Sequence, residues 1–240
     1  MQVDAVLFDL FDTLLLLQGG DAFYEPSLKK LHEFLVENGI NIALENFRRV
    51  YFEVRDELYA EVEESLEDPH FNVRVSRTLQ RLGYDFDVSS PIVAKGTSVF
   101  ADEFMRYLRL DDDALQVLQK LRGKYKLGLV SNFAIPECAW KLLDKYNLRV
   151  FFDAVLVSAE INKRKPSPEI FERALKVLDV NASKAVYVGD MPGSDVRGAK
   201  NAGMKAILVD RGRPLERTVD VEPDNVITSL KELLTILEDC

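Results

Sequence analysis

From about residue 112 onward, short apolar runs rich in β-branched residues alternate with segments of helical periodicity. The runs cover 125–130, 152–157, 184–188, 205–209 and, more weakly, 225–227, and a run of the same kind, 3–8, opens the chain. Continuous apolar stretches of this length read as strands covered on both faces, which is the signature of a parallel sheet. The intervening patterns, 112–123, 136–146, 168–178, 194–202 with Gly203 as its stop, and 229–237, supply the crossover helices such a sheet needs. The alternation therefore predicts a doubly wound α/β fold.

Residues 18 to about 108 break the pattern. No strand is predicted there. Helices are expected at 28–38 behind Ser27 as N-cap, at 44–65, at 72–82 before Gly83, and from Pro91 to Tyr107. The chain is thus expected to hold an α/β core, 1–17 and 109–240, interrupted after its first strand by an all-helical cap, 18–108. The charges of 44–65, such as Glu61, Glu63 and Glu64, suit a solvated helix face.

Composition narrows the function. Of 240 residues, 31 are Lys or Arg and 40 are Asp or Glu, a net charge of −9 that argues against a nucleic-acid partner. No run approaches the ~18 apolar residues of a membrane span. The apolar N-terminus is broken by Asp4, Asp9 and Asp12 and lacks a basic start, unlike a signal peptide. Cys138 and Cys240 allow one disulfide at most, which suits the cytoplasm. With only His32 and His70, neither a His-rich zinc site nor a serine–histidine triad is expected. What remains is a small-molecule substrate; nothing in the chain fixes an oligomeric state.

In an open parallel sheet, ligands bind at the carboxyl ends of the strands. Those positions hold Asp9, Phe11, Asp12 and Thr13, then Ser131 and Asn132, then Lys163, Arg164, Lys165 and Pro166, then Gly189, Asp190 and Asp195. Three carboxylates at one sheet edge repel: two unit charges 4 Å apart cost roughly 4 kcal/mol at an effective dielectric of 20. A cation resolves this, and an oxygen-only donor set suits Mg²⁺. Lys165 adds fixed positive charge, and Ser131 and Asn132 add donors, so the set describes a phosphoryl-binding pocket. A carboxylate is ionised at neutral pH and can attack phosphorus. Blander roles for the same residues are an Asx turn at Asp190, a helix cap at Asp195 and a solvated run at Lys163 and Arg164. Phe23, Tyr24 and Trp140 are read as core or cap-interface residues.

The motifs Phe8-Asp9-Leu10-Phe11-Asp12-Thr13-Leu14, Val130-Ser131-Asn132, Lys165-Pro166 and Val188-Gly189-Asp190 with Asp195 resemble those of the haloacid dehalogenase-like hydrolase superfamily, in the subgroup whose helical cap follows the first motif. The resemblance implies that Asp9 is the nucleophile. It implies that Asp9, the Phe11 carbonyl and Asp190 hold Mg²⁺, with Asp195 on metal-bound water or Lys165. Ser131 and Lys165 would engage the transferring group, and Thr13 would brace the loop. The implied activity is phosphatase action on a small phosphorylated metabolite through an aspartyl-phosphate.

One position departs from the pattern. Phosphatases of the family usually carry a second aspartate, as general acid, where this chain has Phe11, and Asp12 is one residue out of place. An aromatic residue there resembles the 2-haloacid dehalogenases, whereas Asp190 and Asp195 resemble the Mg²⁺-dependent phosphatases. Two alternatives therefore stay open: a metal-independent dehalogenase, with Arg48, Arg49 or Arg55 holding the substrate carboxylate, and a phosphometabolite-binding protein of weak activity.

Overall fold

The computed structural model describes residues 3–212 and 221–238; Cys240, and with it any disulfide to Cys138, lies outside them. Six strands form one parallel sheet: β1 (Ala5–Phe8), β4 (Lys126–Ser131), β5 (Ala154–Val157), β6 (Ala185–Gly189), β7 (Lys205–Val209) and β8 (Asn225–Ile227). Their order is β5-β4-β1-β6-β7-β8, so the chain builds outward from β1 to one side and then returns to build the other. All six predicted strands are present, within a residue or two of their expected ends.

The strands are buried because both faces are covered. Val6 and Phe8 of β1 point into a cluster with α5 (Ala114–Leu121), α6 (Pro136–Lys145) and α10 (Glu232–Glu238). Ala5 and Leu7 face the opposite cluster, with α8 (Pro168–Leu178) and α9 (Arg197–Asn201). A short helix, α7 (Ser158–Ile161), follows β5.

Four helices fill the interruption: α1 (Tyr24–Glu37), α2 (Leu44–Glu61), α3 (Phe71–Arg81) and α4 (Pro91–Phe104). Their apolar stripes join the same hydrophobic cluster as the Val6 face of the sheet, except that Val50, Val54 and Leu58 of α2 form a small cluster of their own. Three local expectations change. α1 begins at Tyr24 rather than behind Ser27, because Phe23 and Tyr24 pack on Phe104 and Phe100 and draw the start into contact. Pro26 is tolerated there because it lies in the first turn. α2 ends at Glu61, short of 65. His70, to which the sequence assigned no role, caps α3: its Nδ1 accepts from the Asn72 amide at 3.1 Å.

The chain enters and leaves these helices through strands the sequence did not reveal. β2 (Leu15–Leu17) pairs antiparallel with β3 (Leu108–Leu110), with Leu15 opposite Leu110 and Leu17 opposite Leu108. Runs of three residues are too short to show a period. No helix among the described residues is long and apolar enough to cross a membrane.

Candidate active site

The carboxyl ends of β1, β4 and β6 are adjacent in the sheet, so Asp9, Ser131 and Asp190 meet at its centre. β1 stays in register to its end, where the Asp9 amide donates to Val188 O at 2.9 Å. The chain then turns at once. Leu14 and Leu15 donate back to Leu10 O, and Asp12 takes a left-handed φ of 54°, a conformation aspartate enters more readily than most residues. The Asp12 carboxylate accepts from the Leu17 amide at 3.0 Å, so its side chain serves the turn into β2. Arg211 braces the same loop by donating to the carbonyls of Asp12 and Thr13 at 2.8 and 2.6 Å. Thr13 is buried with its Oγ1 unpaired.

At β6 the predicted helix over 194–202 does not start as expected. Residues Pro192–Val196 form a wide π turn in which Asp195 N and Val196 N both donate to Met191 O, at 2.8 and 3.3 Å, before α9 begins. The turn folds Asp195 back beneath β6, where its Oδ2 accepts from Met191 N at 2.9 Å. Gly189 makes the approach possible: a Cβ there would sit 2.4 Å from Asp195 Oδ2.

Lys165 reaches the cluster from the segment before α8. Its Nζ donates to Asp9 Oδ1 at 2.7 Å and to the Tyr187 hydroxyl at 2.8 Å, and pairs with Asp195 Oδ1 at 2.7 Å. Tyr187 in turn donates to Val130 O at 2.8 Å. The ammonium is thus held by three oxygens in a buried site. Burial alone would lower the affinity of Lys165 for its proton, but Asp195 and Asp9 reverse this and hold it above the ordinary lysine value. Tyr187 was absent from the sequence-based set. Its signal was a tyrosine inside an otherwise apolar strand, since a buried hydroxyl must find a partner.

Asp9, Asp190 and Asp195 each present an oxygen within 4.8 Å of the others. One lysine cannot balance three carboxylates. Burial first, then the neighbouring acids, pushes Asp190 up to about 8; burial, offset in part by Lys165, pushes Asp9 up to about 6. Such a cluster favours a proton or a cation, and an all-oxygen donor set fits Mg²⁺. Ser131 ends β4 fully buried with its Oγ unpaired, a donor still in need of an acceptor.

Other expectations are recast. Asn132, expected to donate to a substrate, uses its amide on the Lys165 backbone: Oδ1 accepts from Lys165 N at 2.7 Å and Nδ2 donates to Lys165 O at 3.0 Å. Lys163 and Arg164 are not simply solvated. Lys163 Nζ donates to Ser65 O and Arg164 N to Leu66 O, at 2.8 and 2.9 Å, tying this loop to the segment that follows α2. The Phe11 ring packs against Phe133 and Phe104, with centroids 4.7 and 5.7 Å apart, so its side chain closes the site with carbon.

Beside this aromatic wall lies a cavity of about 310 Å³ between the helices and the sheet edge, reached by Asn132 and Phe133 on one side and by Phe23, Tyr24 and Phe104 on the other. Arg48, Arg49 and Arg55 do not reach it: they pair with Glu25, Glu53 and Asp56 on the surface. The arginines that line it are Arg74 and Arg164.

A model of the haloacid dehalogenase-like hydrolase family matches residues 3–203. A glyceraldehyde 3-phosphate phosphatase of Methanopyrus kandleri is 31% identical, with 99% of this chain and 98% of that protein aligned. One from Pyrococcus furiosus is 30% identical over 99% and 94%. Among solved structures, a 2-haloacid dehalogenase from Pseudomonas syringae superimposes with a TM-score of 0.78 at 26% identity, covering 99% of each chain.

Proposed function

The chain belongs to the haloacid dehalogenase-like hydrolase family, and on that premise we propose that it is a Mg²⁺-dependent phosphomonoesterase using Asp9 as nucleophile. The observation that carries the reading is the cluster of Asp9, Asp190 and Asp195 around a lysine held on three oxygens. A metal-independent carbon–halogen hydrolase has no use for so many buried acids. Asp9, Asp190 and the Phe11 carbonyl would hold Mg²⁺, with Asp195 beside them, and the ion would neutralise the acids and the phosphoryl oxygens.

The rest of the chemistry belongs to the protein's own groups. Asp9 attacks phosphorus as the ester P–O bond breaks, and that electron pair leaves with the alcohol oxygen. Lys165 fixes the attacking carboxylate through Oδ1 and supplies positive charge to the transferring group. Ser131 Oγ donates to a phosphoryl oxygen, the acceptor it lacks within the protein. Water then attacks phosphorus and frees phosphate and Asp9. Phe11 has no proton to give, so the departing alcohol takes its proton from water. That forgoes a contribution of roughly 10²–10⁴-fold, most heavily for alkyl esters and least for an aryl ester whose phenolate leaves unprotonated.

The substrate is a small phosphorylated metabolite, the class to which glyceraldehyde 3-phosphate, named for the relatives, belongs. The test is hydrolysis of p-nitrophenyl phosphate with Mg²⁺, after chelation, and by Asp9→Asn. Activity that survives Asp9→Asn removes the nucleophile. Phe11 and the dehalogenase likeness favour one other reading, halide release from a 2-haloacid in chelator. That result would replace the phosphatase.

A further inference from the structure

α3 carries Phe71, Arg74, Val75, Thr78 and Leu79 on one buried stripe, which sets a single arginine among apolar positions. Arg74 is 8% exposed and lines the cavity between the helices and the sheet edge. Its guanidinium lies 5.1 and 5.2 Å from the ring centres of Tyr59 and Phe71, and 5.8 Å from that of Tyr51. A buried arginine normally meets a carboxylate, and this one meets none within salt-bridge distance among the described residues. Only Nη1 is engaged, donating to Tyr24 Oη at 3.1 Å and to Tyr51 Oη at 3.3 Å. Nε is buried without a hydrogen-bond partner, and Nη2 makes no hydrogen bond among the described residues.

Those two nitrogens form one edge of the guanidinium, the fork that takes both oxygens of a carboxylate in parallel. The cavity's charge balance agrees. Two guanidiniums, Arg74 and Arg164, face one acid, Asp68, leaving one positive charge uncompensated. Asp68 is itself committed, since its carboxylate accepts from the Ser158 hydroxyl. The cavity also adjoins the reaction centre. Asn132, which lines it, grips the Lys165 backbone, and Phe133 and Phe104 line it with Phe11 packed behind them.

We propose that Arg74 is the specificity-determining residue, receiving a carboxylate at the end of the substrate opposite its phosphate. The proposal rests on the phosphatase reading and narrows its substrate class to phosphorylated carboxylic acids. The aromatic walls exclude water from the pair, which strengthens it.

The experiment compares 3-phosphoglycerate with glycerol 3-phosphate, equal in carbon number but differing in the carboxylate, on wild type, Arg74→Met and Arg74→Lys with Mg²⁺. Wild type is expected to favour the acid at least tenfold in kcat/KM. Arg74→Met should lose that preference mainly through KM, and Arg74→Lys, which keeps charge without the fork, should recover part of it. Preference for glycerol 3-phosphate, or equal loss on both esters in Arg74→Met, overturns the proposal. Calorimetric binding of the two probes to Asp9→Asn, with Arg74 intact, answers the same question without an Arg74 variant; equal affinities overturn it. Hydrolysis of both esters without preference removes the carboxylate site and leaves the phosphatase. Binding that favours the acid without turnover of either ester by wild type does the reverse.

Discussion

Replacing Asp190 with asparagine should make the metal-free protein more stable, although it removes a residue at the centre of the site. Asp190 is buried beside Asp9 and Asp195, and its carboxyl rises from 3.8 to about 8, with burial as the leading cause. An acid raised on folding keeps its proton in the native state after the unfolded chain has lost it. Stability therefore falls as pH rises from the unfolded value toward the folded one. One pKa unit corresponds to about 1.4 kcal/mol. From 3.8 to pH 7 that gives a cost of roughly 4 kcal/mol. Asp9 shares the shift, so removing one of the two charges should recover about half, roughly 2 kcal/mol. For a chain of this length that is about 4–8 °C in Tm. The assay is thermal unfolding in chelator from pH 5.5 to 8, above the range where surface carboxylates titrate. Wild type should lose Tm as pH rises, and Asp190→Asn should start higher and slope less. Saturating Mg²⁺ at 100 times its Kd should add about 2.7 kcal/mol to wild type and far less to Asp190→Asn. A metal-free wild type that is more stable at pH 8 than at 5.5, with no gain in Asp190→Asn, would refute the reasoning.

Three further outcomes follow from the same geometry. Gly189→Ala forces a Cβ to 2.4 Å from Asp195 Oδ2; displacing Asp195 from Lys165 and Met191 should cost about 1–3 kcal/mol in a denaturant melt and lower kcat by at least tenfold. Tyr187→Phe removes one of the three oxygens that hold Lys165 Nζ and the hydroxyl donated to Val130 O, so unfolding free energy should drop by about 1–3 kcal/mol, with the loss in turnover appearing in kcat rather than KM. Because Phe11 offers no proton, the ratio of aryl-ester to alkyl-ester kcat should be large, and replacing p-nitrophenol with a more basic phenol should slow the reaction steeply; a flat dependence would reveal a hidden acid.

The alternation of strands and helices was legible because both the strand runs and the crossover helices leave strong periodic signals. The acids, Lys165 and Ser131 were legible because a parallel sheet collects its strand ends on one edge. Three features escaped for identifiable reasons. The β2–β3 pair is too short to show a period. The π turn that carries Asp195 depends on a backbone contact to Met191 O, which no side-chain pattern announces. Arg74 went unremarked because an arginine in a helical run is ordinarily solvated, although its spacing from Phe71 and Thr78 places it on the buried stripe. The grip of Asn132 on the Lys165 backbone was not legible for a related reason: strand-end position fixes where a side chain is, but its partner is set by the loop arriving from β5.

The two passages between the sheet and the four helices run side by side and are hydrogen-bonded to each other as β2 and β3. Two separate tethers would let the helices tilt and twist independently of the sheet. A ribbon paired at Leu15–Leu110 and Leu17–Leu108 couples the two passages, so that one does not move without the other. The loop carrying Asp9, Phe11 and Asp12 leads straight into that ribbon, and Asp12 grips its amide at Leu17. A displacement of the ribbon is therefore felt directly by the loop that carries Asp9.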